Sequence, residues 1–434
     1  GDSVFVTIKN KRNITTPITM YGLQNKEVKF KKWLTNIDST KTIAIPKNGF
    51  DRVSLNFENS YPEFNSMDNS RKIGTGILNK PIQFKLYKDI NDPYYHQLYL
   101  QPDLRYNFYD GVLMGLKVHN RPILARNFQF SVTPLFGSKS NSLNGTFITR
   151  YTKYFENSKI NRIFYSLSGS NLHYADNLSY NSLNQTITVE FRRKSLRDAG
   201  GSFLSARLVN IRRELNPGDT QTDSDKYRIF KLRYYYNKPN IIRGLKYSIG
   251  TEFGSKYSKA TGEIRYRKLT TKNTQLDFRL YAGSFLRNNT ESDFFSFGLD
   301  RANDYLYELN YIGRSESSGI LSQQFIMAEG GFKSVLDQRF ANEFLVSFNS
   351  SIGLWRWLEV YNDVAFLKNK GTNIFFAYEN GIRFNFIHNI FELYFPIYSN
   401  NGWEVNKNAY SKSIRFVMVL KPEAIINFFR RGFL

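Results

Sequence analysis

Apolar and polar side chains alternate in the segment TQLDFRLYA at residues 274–282. Because successive side chains of a strand point to opposite faces, its leucines and Phe278 share one face, and its charged residues share the other. The segments 246–253 and 185–192 alternate in the same way. Repeated over most of a long chain, this pattern predicts strands that separate hydrocarbon from water in a closed barrel.

We predict an all-β fold, a transmembrane antiparallel β-barrel of about sixteen strands with a small N-terminal β-sandwich fragment. The predicted barrel strands are 97–107, 112–119, 128–137, 143–154, 160–169, 183–193, 202–213, 226–236, 244–253, 258–269, 274–287, 342–353, 358–367, 373–387, 390–398 and 412–421. The longest connections, which follow odd-numbered strands, are 169–182, 214–225, 288–341 and 399–411. Such an asymmetry is typical of outer-membrane barrels, whose periplasmic turns are short.

The composition suits a membrane barrel although 22% of the residues are charged. Only alternate residues of each strand face lipid, so a barrel needs no long apolar segment. Aromatic residues make up 16% of the 434 residues, as expected if many lie in girdles at the two membrane interfaces. The absence of cysteine excludes a disulfide framework and a thiolate metal site. The chain begins at Gly1 without a charged-then-apolar leader, so we expect a mature or truncated product.

The net charge of +23 raises the question of a nucleic-acid partner. The cations are spread over inward strand positions and turns rather than gathered in one run, which argues against such a partner. A basic lumen, or rims that face anionic headgroups, accounts for them better. We therefore predict no nucleic-acid partner. The predicted partners are outer-membrane lipid and lipopolysaccharide, with other outer-membrane or periplasmic proteins as further candidates.

The chain divides into four predicted segments. Short β-runs over residues 1–72 predict a periplasmic, Ig-like β-sandwich fragment, and residues 73–96 form a linker. The outer-membrane barrel covers 97–421 and contains the long loop 288–341. Residues 422–434 form a C-terminal interfacial tail, because three phenylalanines and two arginines make this segment amphipathic.

The loop 288–341 is far longer than an ordinary hairpin connection. Three arrangements are open: disorder, a cap over the barrel mouth, or folding into the lumen, and the apolar content of the loop favours packing over disorder. Its candidate site residues are Gly330, Gly331, Phe332 and Lys333. They form either a tight turn that allows close backbone approach or a tip that binds the lumen wall, and the length of the loop favours the tip.

Charged residues on the polar faces of neighbouring strands are the candidate lumen residues. They are Lys231, Arg233, Glu252, Glu263, Arg265, Arg267, Asp277 and Arg279. Cross-strand pairs of opposite charge commonly stiffen a filled barrel. The functional alternative is a charged constriction that selects anions. Of the two, the pattern favours the structural role.

Two stretches near the end of the barrel, GIRF at 381–384 and FELYFP at 391–396, resemble the BamA-like superfamily of assembly factors and two-partner secretion transporters. The motif residues are Gly381, Arg383 and Pro396. The strand count and the long loop after the eleventh strand belong to the same resemblance, which covers the barrel. It implies a loop folded into the lumen, with an Arg-Gly-aromatic tip that pairs with an inward residue. Here the tip is GGFK at 330–333, with no arginine before the glycine, and the sequence holds no repeated POTRA domain.

A second resemblance covers nearly the whole chain. VTIKNK at 6–11 and YPE at 61–63 resemble the last β-sandwich of gluzincin aminopeptidase-type zinc metallopeptidases, which some Gram-negative bacteria fuse to a barrel. YNFYDG at 106–111, with the motif residues Asp110 and Gly111, is similar to the first hairpin of those barrels. The resemblance implies an outer-membrane module that anchors a periplasmic metallopeptidase-like protein, with its lumen occluded by the long loop. The alternative is a BamA-like transporter, assembly factor or secretion pore.

This chain itself is predicted not to be an enzyme. A gluzincin zinc site needs His-Glu-x-x-His, and His96, His119, His173 and His388 are isolated in the sequence. We therefore predict no catalytic residue, no metal ligand and no cofactor. The enzymatic alternative is a base–orienter pair of His173 and Asp176 at the barrel rim, without the Gly-x-Ser-x-Gly elbow of a hydrolase. The predicted location is the bacterial outer membrane, with the N-terminal domain periplasmic.

Overall fold

The computed structural model describes residues 3–11, 15–46, 49–63, 66–74, 78–123, 126–195, 197–216, 225–240, 242–272, 274–387 and 390–419. The predicted tail 422–434 and His388 lie outside these ranges. The chain divides into two compact units, Gly1–Gln101 with Val118–Arg126, and Pro102–Lys117 with Asn127–Leu434. None of the described residues belongs to a helix that is long and apolar enough to cross a membrane.

The first unit contains two small antiparallel sheets. Its strands are β1 (Ser3–Lys9), β2 (Ile18–Gln24), β3 (Glu27–Leu34), β4 (Thr40–Pro46), β5 (Arg52–Leu55), β6 (Ser70–Lys72) and β7 (Ile82–Leu86). β1 pairs with β4, and the second sheet has the order β3-β2-β5-β6. Ile8 and Ile45 of the first sheet share one apolar cluster with Met20, Leu34 and Val53 of the second. The two sheets therefore pack face to face, as in a sandwich.

The remaining long strands belong to a closed barrel. They are β8 (His96–Asn107), β9 (Gly111–His119), β10 (Phe128–Gly137), β11 (Leu143–Tyr154), β12 (Ile160–Ala175), β13 (Leu178–Phe191), β14 (Gly201–Arg213), β15 (Lys226–Lys238), β16 (Arg243–Phe253), β17 (Tyr257–Leu269), β18 (Gln275–Asn288), β21 (Phe344–Trp355), β22 (Leu358–Lys368), β23 (Phe375–Ile387) and β24 (Phe391–Ser399), followed by the short β25 (Gly402–Trp403) and β26 (Arg415–Met418). Two further short strands, β19 (Phe297–Gly298) and β20 (Phe340–Ala341), pair with each other between β18 and β21. With β7, the barrel sheet counts eighteen strands among the described residues.

The predicted all-β antiparallel barrel is confirmed. Consecutive strands are antiparallel from β10 to β18, and the pairing continues antiparallel from β18 through β21 to β24. Each of the predicted barrel strands is present. The structure adds β25 and β7, and β7 pairs in parallel with β8. β7 lies within residues 73–96, which the sequence pattern assigns to a linker.

The barrel strands turn an apolar face outward and a mostly polar face inward. Leu280 on β18 stands opposite Ile264 on β17 and Phe348 on β21, and all three side chains are exposed. The preceding residue Arg279 and its partner Asn349 point to the opposite face and are buried. Exposed apolar side chains at every second position of a closed barrel form the surface that hydrocarbon requires.

One predicted connection is wrong. The sequence pattern places a long loop at 169–182, but β12 continues to Ala175 and β13 begins at Leu178, so only Asp176 and Asn177 form the turn. Asn177 has a φ of 56°, a left-handed conformation that asparagine tolerates in tight hairpins. The apolar residues change faces here: Tyr165 and Leu167 lie on one face of β12, but Leu172 and Tyr174 lie on the other, so the alternation that marks the other strands is broken.

The predicted alternation of short turns and long loops is therefore only partly right. Among the described residues, the long connections are 289–343 and 400–414, the second of which contains β25, while 217–224 of the predicted connection 214–225 lie outside the described ranges. Other connections at the same end of the barrel, such as 108–110 and 254–256, are short hairpin turns. The long connection 289–343 is the one that shapes the interior of the barrel.

Candidate functional site

The connection 289–343, which we call the lumen loop, folds into the interior of the barrel. Phe297, Leu299 and Phe332 of this segment are almost fully buried, in one cluster with inward side chains of four barrel strands. The wall residues of that cluster are Tyr281, Leu345, Ala365, Leu367 and Ala377. A second apolar cluster joins the lumen loop to β14, β15 and β17. The loop thus packs against two neighbouring stretches of the wall, β14 to β17 and β18 to β23.

A buried ionic cluster binds the tip of the lumen loop to the wall. Lys333 Nζ lies 2.5 Å from Asp363 Oδ2 on β22 and 3.9 Å from Glu379 Oε1 on β23. The backbone N–H groups of Lys333 and Ser334 donate to the two oxygens of Glu379 over 2.7 and 2.6 Å. The Lys333 ammonium also lies 4.5 Å from the centre of the Tyr361 ring. Two wall carboxylates therefore bind one ammonium and two amides of the tip, and we call Lys333, Asp363 and Glu379 the tip cluster.

Two glycines allow the tip to approach the wall. Gly331 has a φ of +76°, and a Cβ at this position would lie 2.8 Å from Asn349 Nδ2. The same Asn349 Nδ2 donates to Gly330 O over 2.9 Å. Phe332, the next residue, is fully buried. Only glycine combines this backbone conformation with such a close approach, so the turn at Gly330 and Gly331 places Phe332 and Lys333 against the wall.

Arg279 connects the lumen loop to two barrel strands. Its Nη1 donates to Glu329 O and to Asn349 Oδ1, each over 2.8 Å. Its Nη2 lies 3.4 Å from Glu263 Oε2 on β17. Ser347 Oγ on β21 donates to the same Glu329 carbonyl over 3.1 Å. Two of the predicted lumen charges, Arg279 and Glu263, thus meet beside the backbone of the loop.

A second polar cluster binds the middle of the lumen loop. Glu252 on β16 accepts a hydrogen bond from Tyr305 Oη over 2.7 Å and lies 2.6 Å from Lys231 Nζ on β15. Lys259 Nζ on β17 donates to Phe295 O over 3.1 Å and lies 4.6 Å from the centre of the Tyr305 ring. Lys231 and Glu252 belong to the predicted site. Lys259 does not, although its polar-face position opposite Glu252 in the β16–β17 hairpin would have identified it.

The first hairpin of the barrel binds the lumen loop at the rim. Tyr109 Oη accepts hydrogen bonds from the backbone N–H groups of Arg314 and Ser315 over 3.0 and 2.8 Å. The same hydroxyl donates to the Glu316 carboxylate. Burial, with a smaller contribution from Glu316, raises the pKa of Tyr109 to about 12. The hydroxyl is therefore a stable donor and acceptor at neutral pH.

Asp110 and Gly111 shape that hairpin. Asp110 is fully buried, and its carboxylate accepts hydrogen bonds from Asn107 Nδ2, Ser140 Oγ and Asn144 Nδ2 over 2.7 to 2.9 Å. Burial alone would raise the pKa of Asp110, but these donors lower it overall. Gly111 adopts a φ of +71°. The predicted barrel motif at 110–111 is thus a hydrogen-bonded turn beside Tyr109.

The pairing of His173 with Asp176, on which the enzymatic alternative depends, is not found in the structure. His173 Nδ1 lies 2.6 Å from Asp110 Oδ1, and its backbone N–H donates to Asp110 Oδ2 over 3.2 Å. Asp176 Oδ1 instead accepts a hydrogen bond from Lys139 Nζ over 3.0 Å. The reason is that His173 belongs to β12, whereas Asp176 belongs to the following turn. The described contacts place no serine or cysteine nucleophile on this histidine.

Arg383 on β23 connects two neighbouring strands near the end of the barrel through ion pairs inside the lumen. Its Nη1 lies 3.0 Å from Glu359 Oε2 on β22, and its Nη2 lies 2.8 Å from Glu392 Oε1 on β24. Gly381 pairs with Pro396 of β24. A Cβ at position 381 would lie 2.4 Å from a backbone oxygen of β24. These predicted motif residues therefore contact neighbouring strands in the structure.

The other predicted lumen charges lie away from the contacts of the lumen loop. Arg233 Nη2 donates to Ser248 Oγ over 2.9 Å, and Arg265 pairs with Glu263. Arg267 and Asp277 both hydrogen-bond to the Gln275 side chain. Arg233 and Arg265 are exposed to solvent. Among the described residues, no three His, Asp or Glu side chains converge in the way that metal ligands do.

Comparisons with known proteins add little to this geometry. No family model matches the sequence, and no curated protein matches it. CdiB from Acinetobacter baumannii is similar in structure with 13% sequence identity and a TM-score of 0.32, over 69% of this chain and 57% of that chain. BamA from Haemophilus ducreyi lacking POTRA domains 1-3 is similar with 10% identity and a TM-score of 0.40, over 74% of this chain and 68% of that chain.

Both scores are too low to support a statement about what this chain does, and its fold rests on its own strand pairing. The chain spans 57% of the CdiB chain that it matches. A gluzincin peptidase is not among the two, and that resemblance stays a prediction.

Proposed function

We propose that this chain is a β-barrel of the bacterial outer membrane whose lumen is filled by its own loop. The observation that carries the proposal is the outward face of the barrel, where residues such as Leu280, Ile264 and Phe348 are exposed on adjacent strands. A water-soluble protein rarely exposes a continuous apolar surface of this kind. Outer-membrane lipid, including lipopolysaccharide, is the partner that matches it.

The lumen loop closes the barrel in this proposal. An empty barrel of about sixteen strands leaves an aqueous channel. Here the tip cluster, the contacts of Glu252 and the contacts of Tyr109 bind the loop to three regions of the wall. A loop bound at three separated regions supports a barrel that is shut at rest.

The first candidate role is that of a membrane module that anchors a periplasmic metallopeptidase-like protein, with the amino-terminal unit in the periplasm. A shut lumen supports this role, because an anchor needs insertion and no conduction. The peptidase itself is inferred only from the resemblance of residues 6–11, 61–63 and 106–111.

The second candidate role is that of a transport, assembly or secretion barrel in which the lumen loop moves. One observation favours it. Arg233, Lys246 and Arg265 on the inward faces of β15, β16 and β17 are exposed, so water enters the barrel beside the loop. The lumen beside the loop is charged and open to water, and many contacts that hold the loop are polar. Such an arrangement is compatible with regulated opening of the barrel by movement of the loop.

The experiment that tests the shared part of the proposal is exported expression of the full chain followed by separation of membranes. The chain should sediment with the outer membrane, resist extraction by alkaline carbonate, and migrate differently on gels before and after boiling. A protein that stays monodisperse in buffer without detergent would contradict the proposal, because its outward apolar face would then be exposed to water.

A further inference from the structure

A patch of basic side chains on the lumen wall is open to water. Arg233 on β15, Lys246 on β16 and Arg265 on β17 are exposed although they point inward. Their neighbours Leu232 and Ile264 are exposed on the outward face, and successive side chains of a strand alternate between faces. We call Arg233, Lys246 and Arg265 the basic patch.

Like charges stand directly opposite each other in this part of the wall. Arg265 pairs in register with Lys246 on one side and with Arg279 on the other. The Cβ atoms of directly opposite residues lie about 4.5–5.5 Å apart, and like charges at such positions destabilise a sheet. The register therefore sets three cations in a row across β16, β17 and β18, where a nearby anion would stabilise them.

The carboxylates of the wall offset only part of this charge. Glu263 pairs with Arg265, and its Oε2 lies 3.4 Å from Arg279 Nη2. Asp277 on β18 hydrogen-bonds to a neighbouring glutamine. Within the described ranges, the Lys246 side chain has neither an ion pair nor a hydrogen bond. Cross-strand pairing thus explains Glu263 and Arg279, and it leaves Lys246 unexplained.

The geometry of the basic patch suits a phosphate group. Arg233 Nη2 donates to Ser248 Oγ over 2.9 Å, so its guanidinium lies beside the next inward position along β16 from Lys246. Adjacent strands lie about 4.7–4.9 Å apart, so the three charged groups can reach one anion. Guanidinium groups bind phosphate through paired hydrogen bonds, and an ammonium adds a point charge. Three cations that are open to water therefore suit a multiply charged phosphate better than a single carboxylate.

An aromatic surface adjoins the basic patch inside the lumen. Phe203 on β14 and Tyr235 on β15 stack with their ring centres 4.8 Å apart. The Arg233 guanidinium lies 5.8 Å from the centre of the Tyr235 ring. Both rings are only partly buried. An organic group attached to the phosphate could pack against them.

We propose that the basic patch is a binding site for a phosphate-bearing anion inside the barrel. Arg233, Lys246 and Arg265 hold the phosphate, which belongs either to a lipid headgroup or to a free phosphate compound. Both sources present the same chemistry to the patch. The inference deepens the proposed function and rests on it, because it requires the water-filled part of the lumen beside the loop.

Isothermal titration calorimetry of the full chain in maltoside micelles, with inorganic pyrophosphate as the titrant, tests this site. We expect saturable binding that weakens as the salt concentration rises. Lys246→Met should weaken the binding by at least about tenfold, the effect of losing one charge-assisted contact. The matched control is Lys256→Met, which removes a lysine from the turn at the other end of the β16–β17 hairpin and should leave the binding unchanged.

A second titrant distinguishes the two sources of phosphate. Dihexanoyl phosphatidic acid carries a phosphate monoester on two short acyl chains. If it binds more tightly than pyrophosphate and Lys246→Met weakens the binding of both, the site takes a lipid headgroup. If it binds no more tightly than pyrophosphate, the site takes a free phosphate compound.

Two results would overturn the inference. One is the absence of saturable binding with either titrant. The other is equal weakening by Lys246→Met and Lys256→Met, which would mean unspecific attraction by the net charge of the chain. In both cases the proposed function stands if the chain sediments with the outer membrane. A chain that stays in buffer without detergent contradicts the proposed function, whether or not it binds pyrophosphate.

Discussion

At the scale of single residues, the tip cluster binds the lumen loop to the barrel wall. Lys333 is buried beside Asp363 and Glu379, which are buried as well. Charges removed from water in this way are stable only when each retains a partner. The identity of the residue at position 333 should therefore affect the stability of the barrel far more than that of a lysine in the wet part of the lumen.

Lys333→Met leaves two wall carboxylates without a cation. We expect it to lower the free energy of unfolding by about 3–5 kcal/mol, the range for breaking a buried pair. Denaturant unfolding of the vesicle-inserted barrel measures this. Lys246→Met removes an exposed inward lysine and should change the stability by no more than about 0.5 kcal/mol. Equal effects of the two substitutions would contradict the role assigned to the tip cluster, and Lys333→Met combined with Asp363→Asn should recover part of the loss.

Alanine substitutions at two glycines distinguish the cost of a left-handed backbone from the cost of a steric contact. Gly331 and Gly371 both have positive φ, but a Cβ would meet Asn349 at position 331 and nothing within 4 Å at position 371. Gly371→Ala should therefore cost only the left-handed backbone penalty of about 1 kcal/mol. Gly331→Ala should cost clearly more in the same unfolding measurement, because the loop tip must also move from the wall. If the two variants are equally stable, close approach at residue 331 is not required.

Sequence reasoning finds these residues but not their partners. The polar-face position of Arg279, and the glycines and lysine of the loop tip, can be recognised from the sequence alone. That Lys333 meets Asp363 and Glu379 depends on the path of a loop that returns through the lumen, and no local pattern specifies that path. The alternative partner considered for His173, Asp176, differs from the observed one for a related reason, because Asp110 lies on another hairpin.

At the scale of elements, each barrel strand has an outward face toward lipid and an inward face toward the lumen. Leu280→Lys places a charge on the outward face of β18, and in a bilayer we expect a loss of about 2–4 kcal/mol in stability, with poor insertion. Ser248→Lys places the same side chain inward, opposite Glu263, and should have little effect or stabilise. Folding yields into lipid vesicles measure both. A tolerated lysine at position 280 would mean that this face does not lie in hydrocarbon.

The alternation that predicts the barrel strands also explains where prediction fails. It works along the middle of β15 to β18, where outward residues such as Leu232, Ile249 and Leu280 are apolar and most inward residues are polar or charged. It fails at 169–182, where the apolar residues change from one face of the strand to the other. β7 alternates as IQFKL, but five residues after a proline give too short a pattern, and nothing in it indicates a parallel pairing with β8.

At the scale of the whole molecule, the fold class follows from the sequence and the filling of the lumen does not. A barrel of about sixteen strands has room for an aqueous channel, and its sequence is equally compatible with an empty or a filled one. The lumen loop resolves this by packing Phe297, Leu299 and Phe332 against four barrel strands. The metallopeptidase-like parent remains a prediction, because it concerns chemistry that these residues do not carry.

Planar-bilayer conductance of the full chain, recorded before and after replacement of residues 290–340 by a short glycine–serine linker, shows whether the lumen loop closes a membrane barrel. Ser284 pairs with Phe344, so the ends of the lumen loop are close enough for such a linker. We predict little current through the full chain, equally little through the Lys246→Met control, and large, stable openings after the replacement. Equal conductance of the full and the shortened chains would contradict the claim that this loop closes a membrane barrel.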